Sequence, residues 1–178
     1  MAYGIAKPKE TDILDICIQI EREKVYLYYN LMRLFPEPPH VRMLWWCLSE
    51  EGYGHMAALT FIKGEVELEP EVSKLEALDL EEDQLYHFLR LVERDLRRIK
   101  GRQMTLDEAF KMVVRLKTSG IDRLYDQILN AVDPMISAMA TRSLKPISFG
   151  WIDLVKTIES CSTDENLRWK VRQLMRKG

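Results

Sequence analysis

Apolar residues recur three and four positions apart along most of the chain, and the pattern resets only at proline- or glycine-bearing breaks, which predicts an all-α protein. The first helix runs from about Thr11, a candidate N-cap, to Phe35, where "PEPP" stops it, and the second from about Pro39 to Lys63 or a little beyond. After the acidic linker "GEVELEPEVSKLEALD", a third runs from about Leu80 to Lys100 and ends at Gly101. Thr105 and Glu108 form a T-x-x-E capping box that opens a fourth, which continues to about Val132 before Asp133-Pro134. A less regular stretch with Pro146 and Gly150 leads to the last, from Trp151 to about Met175. Two helical hairpins joined by a connecting helix predict a four-helix bundle of helices one, two, four and five, with the third as crossover.

At 100° per residue, Ile13, Leu14, Cys17, Ile20, Tyr28, Leu31 and Phe35 share one face of the first helix, and Glu21 and Lys24 fall inside that arc. On the second helix Leu44, Leu48, Leu59, Ile62 and Val66 define the stripe, with Glu51 and His55 on it one turn apart, whereas Glu50 points elsewhere. Lys117 projects from the apolar face of the fourth, and Glu165 stands beside the stripe of the last. Isolated buried charges cost several kcal/mol, so charges on four inward faces imply a core cluster that is paired or metal-bound. Each has a simpler reading: a Glu at the stripe boundary, a snorkelling Lys, a hydrogen-bonded core His. For Glu165 it is a capping box with Ser162 as N-cap.

With 178 residues, 47% of them hydrophobic, the chain suits one domain spanning residues 1–178. Its formal charge of -2 sets up no global field for nucleic acid or acidic lipid. The basic stretches "RDLRRIKGR" and "RWKVRQLMRK" read as solvated faces near helix C-termini, where cations are favoured, ahead of phosphate or acidic-partner contacts. Cys17, Cys47 and Cys161 are scattered and odd in number, which argues against a disulfide scaffold or zinc knuckle and for a reducing cytoplasm. The first residues lack a signal-peptide core, and no run of about 18 apolar residues offers a membrane span. Nucleotide-binding, hydrolase-elbow and H-E-x-x-H motifs are absent, and the sequence alone defends no nucleophile and base arrangement among the Cys and His residues. His40 and His87 read as surface residues.

The stretch "IEREKVYLYYNL", followed a helix later by "WWCLSEEGYGHMAAL", resembles the first half of the ferritin-like domain of rubrerythrins. The resemblance implies a ferritin-like four-helix bundle around a carboxylate-bridged pair of iron ions, with oxidoreductase activity toward peroxide or oxygen, and a homodimer. Glu21 with Tyr28 matches the first ligand position and its following Tyr, and His55 matches the histidine. Gly52 stands where the family has a Glu three residues earlier, leaving Glu51 as the nearest carboxylate. Lys117 takes the place of the second-half ligand Glu, and in "DENLRWKVRQL" Glu165 is retained while Arg168 replaces histidine.

Two irons in such a bundle are held by four carboxylates and two histidines, and this chain offers Glu21, Glu51, Glu165 and His55 with Lys117 and Arg168 added as cations. Two chemistries remain open. One keeps a single divalent ion, iron or another, on Glu21, Glu51 and His55, in a metal-binding or oxidative-stress protein. The other is a metal-free scaffold or interaction protein in which Lys117 pairs with Glu21 or Glu51, Lys24 joins, and the core is an ion-pair network.

Overall fold

A computed structural model describes residues 10–75, 78, 82–101, 104–142 and 151–175. Their regular structure is helical: α1 (Glu10–Leu34), α2 (Pro39–Leu68), a 3-10 turn (Pro70–Val72), α3 (Glu82–Lys100), α4 (Leu106–Thr118), α5 (Ile121–Ala131), α6 (Pro134–Arg142), α7 (Trp151–Cys161) and α8 (Glu165–Met175).

The α1–α2 hairpin is the spine, and it forms where the sequence places it. Phe35 N–H closes the last turn on Leu31 O, and Pro39 opens α2 from an extended Pro38, a position where a missing N–H costs nothing. Leu14, Ile20, Leu27 and Leu31 on α1, and Leu44, Leu59 and Ile62 on α2, are fully buried, each contributing about 1.5–3 kcal/mol of apolar burial. Thr11 lies inside α1, not ahead of it. Buried Val66 carries the stripe of α2 past Lys63, so the helix continues to Leu68, two residues before Pro70.

The third helix is more than a connection. Leu85, Phe88, Leu89, Val92, Leu96 and Ile99 are buried, and α3 packs along α1. Asp95, on the same stripe and fully buried, pairs with Arg115 of α4, so α3 is tied to its neighbours on two sides. Its expected first residue, Leu80, lies outside the described residues.

Two predicted helices are broken. The fourth opens on its capping box, with Thr105 Oγ1 accepting from Glu108 N–H and Glu108 accepting from Thr105 N–H. It stops after Thr118, because Thr118 Oγ1 and Ser119 Oγ donate to Val114 O and Leu116 O, and Gly120 takes a φ of +95°. Hydroxyls bonding back to the helix and a left-handed glycine are termination chemistry. The last breaks at Ser162–Asp164, where Asp164, not Ser162, caps α8 by accepting from Leu167 N–H. Asp107, at the start of α4, holds this break by accepting from Ser162 Oγ at 2.5 Å and from Thr163 Oγ1 at 2.6 Å. An isolated bridge between Ser73 and Val132 and an Asp133 cap on Met135 N–H set α6 against α2. None of the described helices is long and apolar enough to cross a membrane.

Candidate functional site

The charged cluster sits where α1, α2, α4 and α5 meet, and it divides into two ion pairs. Glu21 and Lys24 are both buried on α1, one turn apart, and Lys24 Nζ donates to Glu21 Oε1 at 2.8 Å. Glu51 on α2 turns instead toward α4, where Lys117 Nζ donates to its two carboxylate oxygens at 3.0 and 2.8 Å. Among the described residues, two carboxylates therefore face two ammonium groups, so each of these carboxylates has a cation beside it.

His55 lies between the pairs. Its Nδ1 is 3.6 Å from Glu21 Oε2, beyond hydrogen-bond length, and neither atom has a hydrogen-bond partner among the described residues. The imidazole stacks on Tyr125 of α5, ring centroids 4.0 Å apart. Burial pushes the Glu21 carboxyl up, but the Lys24 ammonium and the His55 ring outweigh it and hold the pKa below the ordinary value. Its negative charge is felt next door. Burial and then the Glu21 carboxylate push the Cys17 thiol up to about 12, and the same two causes, with Asp126, push the Tyr125 phenol up to about 12. The space here, bounded by Cys17, Glu21, Leu59 and Tyr125 among others, is a cavity of about 10 Å³, on the order of one water-sized sphere.

Gly52 explains why the helices close so tightly. A Cβ built on it would lie 2.9 Å from Val25 Cγ2 and 3.6 Å from Glu21 Oε2, so α1 and α2 cross on this residue. The position that carries a ligand carboxylate in the resembled pattern is here filled by the neighbouring helix.

No family model, curated protein or solved structure matches the chain.

Of the residues singled out from sequence, Glu21, Lys24 and His55 come together, and Glu51 meets Lys117. Tyr28 is buried in the core two turns along α1 from Glu21. Glu165 does not join them: its side chain is 90% exposed, and it pairs at 3.8 Å with Arg168, one turn on in α8. The reason is the break before α8, which makes Glu165 the first helical residue and turns it outward. Among the described residues, no three His, Cys, Asp or Glu side chains gather in a metal-binding group. In the basic stretches, Arg97, Arg98 and Arg172 pair with Glu93, Glu108 and Glu159.

Two buried polar residues were also legible in the sequence, Tyr125 in the site and Asp95 on α3 apart from it. Tyr125 lies next to Leu124 and three residues before Ile128, so the stripe of the fourth helix already marked it. Asp95 lies three residues after Val92 and four before Ile99, a charge on an apolar stripe as visible as Glu21.

Proposed function

We propose that the chain is a rubrerythrin-related, ferritin-like bundle in which core ion pairs stand at the position of a di-iron centre, and that it acts as a metal-free helical scaffold or interaction protein. The observation that carries this reading is the ammonium of Lys117 held by both oxygens of Glu51. An ammonium so placed supplies the positive charge a metal would supply, and it repels one. Two irons with bridging carboxylates do not fit this donor set: Glu51 is engaged, Glu165 is on the surface, and Gly52 offers no side chain. No peroxide- or oxygen-reducing step is therefore assigned to the chain. The same reading keeps it as a homodimer, and its three free cysteines suit a reducing cytoplasm.

One observation favours a second reading. Glu21 Oε2 and His55 Nδ1 are buried, have no hydrogen-bond partner among the described residues and face each other at 3.6 Å, which suits a single divalent ion held by that pair in an iron-binding or oxidative-stress protein.

Thermal denaturation with and without iron(II), manganese(II) or zinc(II) separates the two. An ion bound only by the folded chain at a hundredfold its Kd adds about 2.7 kcal/mol, which at this size raises Tm by roughly 5–10 °C. The scaffold reading expects no shift with any of the three metals. A shift that disappears in His55→Ala establishes the single-ion reading in its place.

A further inference from the structure

The fold brings together two residues that lie 121 positions apart in sequence. His40, in the first turn of α2, and Cys161, the last residue of α7, meet with Nε2 2.8 Å from Sγ, and Ser160 Oγ lies 3.6 Å from the same sulfur. His40 is exposed and Cys161 is partly exposed, so the pair meets solvent. The other two thiols are of a different kind. Cys17 and Cys47 are buried, and burial pushes both pKa values up, to about 12 for Cys17.

A thiol in contact with an imidazole at an accessible position is the arrangement that nucleophilic cysteine chemistry requires: a sulfur, a base within reach of its proton, and room for a reactant. With the ring proton on Nδ1, Nε2 accepts from S–H. Ser160 Oγ donates its proton to Thr157 O at 3.0 Å, so it can accept from the Cys161 thiol and leaves His40 as the base in contact with the sulfur. The C-terminal end of α7 works against an anionic sulfur. Opposing it, His40 belongs to the opening turn of α2, a helix with no acidic residue in its first turn and no side-chain cap.

We propose that Cys161 is a nucleophilic thiol with His40 as its base, and that it is a site of mixed-disulfide formation with low-molecular-weight disulfides. In the step, His40 Nε2 takes the thiol proton while Sγ attacks one sulfur of the small disulfide. The new Sγ–S bond forms as the old S–S bond breaks, and the departing thiolate takes the proton back from His40. One disulfide is consumed and one is made, so the exchange needs no separate oxidant.

The test treats the full chain with 2-hydroxyethyl disulfide at pH 7 and follows the adduct on each cysteine-bearing peptide by mass spectrometry. The wild-type chain is expected to gain one adduct, on Cys161, with Cys17 and Cys47 unmodified. His40→Gln keeps a polar side chain beside the sulfur but takes no proton, so adduct formation on Cys161 should slow by about tenfold or more, the lower range for a positioned base. His40→Ala should slow it at least as much. Because His40 is exposed, both variants are expected to keep the wild-type Tm, and continued protection of Cys17 and Cys47 reports on their folding in the same experiment. Modification of Cys161 at the wild-type rate in both variants, or no adduct on Cys161 in the wild-type chain, overturns the proposal.

Discussion

Gly52→Glu, which writes the missing carboxylate back into "SEEGYGH", should destabilise the protein by more than about 3 kcal/mol without creating a metal centre. Overpacking comes first. The added Cβ meets Val25 Cγ2 at 2.9 Å, and forcing extra atoms into a tight helix crossing costs roughly 1–3 kcal/mol. The new carboxylate then lies beside buried Glu21, whose one ammonium partner on α1 is already bonded, and an unpaired buried charge costs several kcal/mol more. Removing a helical glycine returns only about 1 kcal/mol of propensity, too little to offset either cost. Gly52→Ala is the matched control: it adds the Cβ and the propensity but no charge, so its effect should stay within roughly 2 kcal/mol of wild type. Denaturant unfolding of both variants measures the difference. A Gly52→Glu protein as stable as wild type would mean that α1 and α2 leave room for a ligand there.

Lys24→Met should have the next largest effect, a loss of about 3–5 kcal/mol at pH 7, because it removes the ammonium that pairs with the buried Glu21 carboxylate and leaves His55 3.6 Å away in its place. The corresponding change at Lys117 is expected to cost less. Glu51 and Lys117 keep 34% and 15% of their side-chain surface exposed, so water compensates part of the lost pair, whereas Glu21 and Lys24 keep 4% each. Acid provides an independent check. The folded pKa of Glu21 lies below its ordinary value of 4.5, so its contribution is present above pH 4.5 and is lost as pH falls through the folded value. Lys24→Met removes the first of the two influences that depress that pKa, so the part of the acid sensitivity due to Glu21 should shrink in the variant. Adding Glu21→Gln to Lys24→Met should recover part of the loss, since the pair then leaves no charge behind. Wild-type stability for Lys24→Met would show that Glu21 is not held as a buried anion.

The helical spine was legible because its signals are local and redundant. In α1 and α2 the apolar period, the "PEPP" stop and the Pro39 start all agree, and the structure follows them. The broken helices show where such signals run out. "KTSG" continues an apolar stripe, and the helix-wide stripe hides the termination chemistry of Ser119 and Gly120 within it. The same happened at "SCSTDEN", where three polar residues ahead of Glu165 offered competing N-caps and Asp164 took the role. In the core, the presence of charges on inward faces was readable, but which charge meets which was not. Periodicity gives the direction of Lys117 from its own axis; only the docking of α4 on α2 aims it at Glu51 and leaves Lys24 with Glu21. His40 and Cys161 were invisible as a pair for the same reason, because no local pattern links residues joined only by the packing of α7 on α2.

Lys24 and Lys117 supply the positive charge that a metal would otherwise bring to this core. Elemental analysis of the full chain, purified without chelator from cells supplied with iron, tests that directly. Metal far below one equivalent per chain is the result expected of a core closed by Glu21–Lys24 and Glu51–Lys117, and one or two equivalents of iron per chain would contradict it.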